Sequence, residues 1–206
     1  MKNKKLIMIF IFISIFFIII SILYYKKQKT GNNISKSITD IKQYIQEINS
    51  YEATISVEIN SNKNTNKYVI KQSYSSPNYF KQEIQEPENI KGLVTTYDGT
   101  NLKIQNTKLN LSKIYNDYNC LSNNILNLNS FIEECKENEM ETNETEKEIT
   151  IQIKCKNKQT MYKKLTLDKT TGKPTKMEIT DENQKKLVYI LYNEITINKT
   201  INKDIM

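Results

Sequence analysis

The sequence predicts a mainly β domain, an open and strongly curved antiparallel sheet with helical packing, behind a single N-terminal transmembrane helix. Three observations lead to this fold class. The segment from Leu6 to Leu23 contains no charged residue, which is typical of a membrane span. Apolar residues then recur every three or four positions from Ile34 to Ile48, as in an amphipathic helix. Much of the remaining chain alternates apolar and polar residues between turn signals, which is the pattern of strands with one buried face.

The N-terminal segment, residues 1–25, is expected to be an uncleaved signal anchor. Lysines flank the apolar run on both sides, and Tyr24 and Tyr25 follow it where a membrane interface would lie. A cleaved secretory signal is the alternative, but its apolar core is usually shorter and ends at small residues. A lipidated cysteine is not expected, because the first cysteine of the chain is Cys120. The short N-terminal tail favours a cytoplasmic N-terminus and an exported C-terminal domain.

Three further regions follow the anchor: a polar tether at residues 26–33, the β domain at residues 34–198 and a C-terminal tail at residues 199–206. A single domain of this length can bury a substantial core. Its first element is the amphipathic helix, for which Ser37 and Asp40 are spaced as a capping pair. We expect this helix to pack against the sheet.

The alternating pattern begins at Ala53, Ile55, Val57 and Ile59. Further strands are expected between turns, and Asp98-Gly99 has the composition of a two-residue hairpin turn. The sequence predicts roughly nine to eleven strands, mostly antiparallel in sequential order. Beyond the first strand they are expected at residues 68–75, 79–85, 93–97, 102–105, 149–155, 162–167, 177–179 and 187–197.

Two stretches in the middle of the chain are less regular. Residues 109–128 carry Leu, Ile and Tyr at mixed spacing among many Asn, and this pattern favours short helices and loop. The acidic run at residues 133–148 is interpreted as a solvated hairpin tip, in preference to a cation site or a docking patch for a basic partner. The run lacks the alternating ligands and the central Gly of a calcium loop.

The composition argues against several classes of function. The chain contains no His and no Trp, and its thirty basic residues are all Lys. An ordinary catalytic triad, an imidazole metal site and a bidentate phosphate clamp therefore lack their residues. Six of the lysines lie before Thr30, so the exported part is nearly neutral and nucleic acid is not an expected partner. We expect no catalytic residue, no metal site and no cofactor.

Two cysteines flank the acidic run. Cys135 and Cys155 are candidates for a disulfide that would leave Cys120 unpaired or intermolecular. Three buried, reduced cysteines acting as small apolar residues are an equally supported interpretation. The spacing does not match a zinc motif.

Several turn motifs, taken in order, resemble the LolA-like lipoprotein-carrier superfamily. Ser76-Pro77-Asn78 opens a strand with Glu83 near its end, Tyr97-Asp98-Gly99 forms a hairpin, and residues 168–174 read Asp-x-x-Thr-Gly-x-Pro before the last strands. Within that superfamily the chain is most similar to the GerS family of clostridial germination proteins. The resemblance covers about residues 34–198.

This resemblance implies a curved antiparallel half-barrel closed by helices. It further implies a non-enzymatic binding protein at the cell membrane or the forespore membrane, which binds and licenses a zinc amidase of the spore cortex. A lipid- or lipoprotein-binding carrier domain is the alternative, with Ile55, Val57 and Ile59 lining a concave acyl cavity. The chain departs from the family pattern, since it has no Arg for the closing contact of LolA and a transmembrane helix in place of a lipidated cysteine. The resemblance is compatible with a bound lipid and with a homodimer.

Overall fold

The computed structural model describes residues 38–61, 63–118, 126–155, 162–201 and 203. Within this part of the chain, two helices and eleven strands are present, and the strands form one antiparallel sheet. The predicted anchor, the tether, Ser37 and Cys120 lie outside the described residues. Among the residues that are described, no helix is long and apolar enough to cross a membrane.

The two helices are α1 (Ile38–Gln46) and α2 (Leu128–Glu137). The strands in chain order are β1 (Ser50–Asn60), β2 (Thr65–Ser75), β3 (Tyr79–Glu86), β4 (Leu93–Tyr97), β5 (Leu102–Asn106), β6 (Leu111–Tyr115), β7 (Met140–Glu144), β8 (Glu148–Lys154), β9 (Tyr162–Asp168), β10 (Pro174–Thr180) and β11 (Lys186–Ile197).

The sheet consists of two meanders joined by one long-range pair. Its strand order is β6-β5-β4-β3-β2-β1-β11-β10-β9-β8-β7, so β1 pairs with β11 and every other neighbour is consecutive in sequence. Each strand therefore pairs with the one before or after it, except at this central junction. The strands at the two ends of the sheet are β6 and β7.

Both helices contribute to the core on one face of the sheet, which we call the inner face. The stripe on α1 buries Ile41 and Ile45, and α2 buries Leu128, Phe131 and Ile132. These side chains belong to one apolar cluster with the inward residues of the strands, which lie at every second position as the alternation predicts. The predicted mainly β class, with a curved antiparallel sheet and helical packing, is confirmed.

In two regions the structure differs from the predicted elements. Residues 111–115 form the strand β6 where short helices and loop were expected. All five residues of β6 are exposed, so the strand has no buried face and no alternation by which the sequence could reveal it. The acidic run is not a single hairpin tip, because its first residues belong to α2. Glutamates are interspersed with the apolar residues of that helix, so its apolar stripe is difficult to recognise in the sequence. The buried residues of the stripe are Leu128, Phe131, Ile132 and Cys135.

The Asp168-to-Pro174 turn is the docking point of α1. The Asp168 carboxylate accepts hydrogen bonds from the N–H and the hydroxyl of Thr171 at 2.7 and 2.8 Å, and these bonds lower the pKa of Asp168. Gly172 has a φ of 69°, a conformation that favours glycine. The Tyr44 hydroxyl of α1 donates to the Gly172 carbonyl at 2.9 Å. This motif therefore orients α1 as well as turning the chain.

We predict that Gly172→Ala destabilises the domain by about 1–2 kcal/mol, because the left-handed backbone is strained for an L side chain. The added Cβ would also lie 2.8 Å from the Tyr44 hydroxyl oxygen. Urea unfolding of the full-length protein in detergent, followed by circular dichroism, measures the cost. Tyr44→Ala removes the crowding, so the double variant is expected to cost less than the sum of the two single variants. Strictly additive costs would contradict this account of the turn.

Candidate functional site

The predicted cavity-lining residues lie in the inner-face core. Ile55 and Val57 are fully buried, and Ile59 is half-buried. They belong to the same apolar cluster as Ile45 of α1 and Phe131 of α2. An acyl chain entering between the helices and the sheet would therefore have to displace packed side chains.

Polar side chains of the sheet hold the beginning of α2. The Gln72 amide donates to the Leu126 carbonyl at 3.2 Å, and the Gln82 amide donates to the Asn127 side-chain oxygen at 2.5 Å. Asn127 is the N-cap residue of α2, but it makes no side-chain capping bond to the helix. The N–H of Leu128 instead donates to the hydroxyl of Tyr51 at 3.2 Å, and burial raises the pKa of that phenol. Tertiary contacts thus take the place of a local cap.

A buried ion pair holds the middle of α2. Lys163 of β9 is only 1% exposed, and its ammonium lies 2.7 Å from a carboxylate oxygen of Glu134 and 3.2 Å from the hydroxyl of Ser130. The Cys155 sulfur donates to the other Glu134 oxygen at 3.6 Å. This pair was not predicted from the sequence, although Lys163 occupies an apolar position in the alternation of β9.

The two cysteines of the predicted disulfide are both buried near this ion pair. Cys135 follows Glu134 on α2, and Cys155 comes directly after β8. The structure thus places both cysteines where α2 meets the sheet. Their pairing stays a prediction.

The outer face of the sheet carries the C-terminal segment. The Lys199 ammonium lies 2.5 Å from the Glu52 carboxylate, and the Ser50 hydroxyl donates to the Lys199 carbonyl at 2.6 Å. This part of the predicted tail therefore packs on the domain. Beside it lies a largely polar cavity of about 260 Å³, lined by Glu52, Lys71, Ser73, Tyr79, Lys81, Glu83, Lys199, Thr200 and Ile201.

Most of the large exposed apolar side chains on the described surface lie at one edge of the sheet. Leu109, Leu111, Ile114 and Tyr115 are 64%, 63%, 48% and 38% exposed, and we call this group the β6 edge. Within the described residues β6 pairs only with β5, so its other side is open. Apolar side chains beside unpaired strand groups are typical of a protein-binding surface.

The hairpin that carries the β6 edge is held by the neighbouring loop. The N–H and the hydroxyl of Thr107 both donate to the Gly92 carbonyl at 3.0 Å. Lys108 forms an ion pair with the Glu88 carboxylate, which lies in the β3–β4 connection. These contacts connect the β5–β6 turn to the β3–β4 connection.

Acidic and cysteine side chains are common metal ligands. Over the described ranges, no group of three or more such side chains is arranged to hold a metal ion. The exposed apolar side chains make the β6 edge the candidate functional site. The described part of the chain is a single-sheet β domain, and this cluster lies at one end of its sheet. Comparison with known proteins then identifies the family. The model of the sporulation protein YdcC-like family matches residues 4–206, and this chain belongs to that family.

Solved structures match this chain at low sequence identity. An uncharacterised conserved protein from Thermus thermophilus is 11% identical, with a TM-score of 0.52 over 81% of this chain and 90% of the other. The LolA superfamily protein NE2245 from Nitrosomonas europaea is 10% identical, with a TM-score of 0.41 over 81% of this chain and 96% of the other.

A chain in the structure of the CwlD amidase from Clostridioides difficile in complex with the GerS lipoprotein is 21% identical. Its TM-score is 0.44, over 81% of this chain and 93% of the other. No curated protein sequence matched this chain. The predicted resemblance to LolA-superfamily proteins and to GerS is confirmed.

We predict that Glu134→Gln destabilises the domain by about 3 kcal/mol, because it leaves the Lys163 charge buried without its counterion. A second substitution, Lys163→Met, should recover most of this loss, since an apolar side chain of similar length then fills the site. The matched control is Glu133→Gln on the same helix. Its partner Lys136 is 45% exposed, so the control should cost less than about 1 kcal/mol. Equal costs for the two glutamine variants in urea unfolding would contradict the prediction.

Proposed function

We propose that this protein is a non-enzymatic, membrane-anchored binding protein that acts outside the cytoplasm, where it binds and licenses a spore-cortex peptidoglycan amidase. Membership of a sporulation family and the motif resemblance to the GerS family support this role. The observation that carries it is the β6 edge, since a cluster of exposed apolar side chains on a preformed hairpin is suited to protein docking.

The proposed location follows from the N-terminal sequence. Residues 1–25 act as a single-pass anchor in the cell membrane or the forespore membrane, with the N-terminus in the cytoplasm. The tether at residues 26–33 then keeps the β domain close to the outer surface of that membrane. Peptidoglycan lies on the same side, so the partner enzyme and the β6 edge share a compartment.

The amidase proposal predicts that the tagged full-length protein, purified from sporulating cells, carries a peptidoglycan amidase with it. Replacing Leu111 and Ile114 together by Glu should lower recovery of the amidase by at least about tenfold, because each charge would be desolvated in an apolar contact. Leu191→Glu is the matched control, since Leu191 is a similarly exposed apolar residue on β11, away from the β6 edge.

Recovery should be unchanged in the Leu191→Glu control, and all three proteins should give the same circular dichroism spectrum. Two results would contradict the proposal: no peptidoglycan enzyme accompanies the wild-type protein, or the cortex muropeptides are normal in a strain that lacks it.

A carrier of lipid or lipoprotein is the second candidate function, favoured by the apolar inner face. The packing of Ile55 and Val57 beneath the helices makes it the weaker candidate. Native mass spectrometry of the full-length protein, released from detergent, distinguishes the two functions. We expect the mass of the protein without an acyl ligand, and no saturable uptake of a fluorescent fatty acid. A stoichiometric lipid adduct would favour the carrier instead.

A further inference from the structure

We propose that the β6 edge binds an extended segment of a partner protein as an additional strand, and that this segment is acidic and apolar in composition. The identity of the partner rests on the amidase proposal above, whereas the mode of binding rests on the backbone, the side chains and the charges of the hairpin.

The backbone of β6 offers a template for strand addition. The β5–β6 register runs from Leu102 opposite Tyr115 to Asn106 opposite Leu111. In such a ladder, alternate residues of the outer strand direct their N–H and C=O groups away from its neighbour. An incoming strand can pair with these groups at a separation of about 4.8 Å. Main-chain hydrogen bonds would then supply affinity with little dependence on sequence.

Side chains on both faces of β6 add apolar contacts. Tyr115 is opposite Leu102, which belongs to the inner-face core, and Leu111 lies on the same face by alternation. Ile114 is opposite Lys103 and points to the outer face. An added strand would therefore lie beside exposed apolar groups on both of its faces, and this arrangement selects for apolar residues in the segment.

The charge of the hairpin selects for acidic residues. Residues 102–115 contain Lys103, Lys108 and Lys113 and no Asp or Glu. Lys108 forms an ion pair with Glu88. Lys103 and Lys113 instead lie on β5 and β6. The Lys113 ammonium lies over the ring of Tyr115, 4.8 Å from its centroid. A carboxylate in the added strand would lie beside Lys113 on the neighbouring strand, and Lys103, one strand further in, adds to the positive potential.

The other end of the sheet would reject the same segment. The sequence of β7 is Met-Glu-Thr-Asn-Glu, and Glu139 and Glu146 flank it. The large exposed apolar residues on the described surface include none from β7. An acidic strand would thus meet like charges and few apolar contacts at β7, so the opposite charges of the two edges direct it to β6.

A single introduced tryptophan makes binding measurable, because the natural chain contains none. The test uses full-length Tyr115→Trp protein in lipid nanodiscs and three synthetic peptides. The first alternates Val with Glu, the second alternates Val with Lys, and the third is the Glu peptide with a central Pro that breaks strand pairing. We expect the Glu peptide to shift the tryptophan emission to the blue in a saturable manner, and the other two to leave it unchanged.

Charge reversal tests the selectivity. Lys113→Glu in the tryptophan variant should weaken binding of the Glu peptide by about tenfold and give binding of the Lys peptide. Lys176→Glu on β10 is the matched control and should leave both titrations unchanged. The proposal is overturned if the Glu and Lys peptides bind equally, if the Pro peptide binds as well as its parent, or if no peptide binds.

A lipid surface is the rival occupant of an apolar, lysine-bearing hairpin. If brominated lipids in the nanodisc quench the tryptophan emission of the Tyr115→Trp variant and no peptide changes it, the β6 edge belongs to the membrane and the proposal is overturned. The peptide titrations do not involve an amidase, so they can fail while an amidase still co-purifies. Conversely, if the peptide binds but no amidase is recovered, binding by strand addition is supported and the proposed amidase partner is contradicted.

Discussion

The pairing of β1 with β11 is the constraint on which the other elements rely. The two strands come near the beginning and the end of the domain's sequence. They pair from Tyr51 with Ile197 to Ile59 with Val188. Long-range pairing of this kind has a large loop-closure cost, so it needs extensive burial to be stable. The inward residues of β1 supply that burial, since Ile55 and Val57 are almost completely inaccessible. On either side of this junction, the remaining strands follow one another in sequence order.

The same junction determines where the functional surface can lie. Because β1 and β11 occupy the centre, the ends of the two meanders, β6 and β7, become the edges of the sheet. The helices cover the central inner face and are held there by polar side chains, including Gln72 and the Lys163–Glu134 pair. Removing one partner of such a buried pair is costly, so the pair holds α2 against the sheet. The β6 edge therefore stays exposed while the central inner face is covered.

A covered inner face beside an exposed edge suits a protein that binds partners. The interior is filled with apolar side chains, and the hairpin that ends in β6 is fixed to the neighbouring loop by Thr107 and Lys108. A preformed edge avoids part of the ordering cost of binding. Membership of the YdcC-like sporulation family gives the biological setting. In the proposed function, the N-terminal segment would keep the domain at a membrane.

Local signals in the sequence were enough to predict the mainly β class, the positions of most strands and the helix that precedes them, because alternation and turn residues act over short distances. The sequence also established the lack of His and Arg, and through ordered turn motifs the family resemblance. The three-dimensional arrangement was needed to show that residues 111–115 form an edge strand of the described sheet and that the acidic run begins within α2. It was also needed to show that Lys163 is buried beside Glu134. These features depend on partners distant in sequence: an exposed strand has no burial pattern, and a lysine is buried only where a carboxylate meets it.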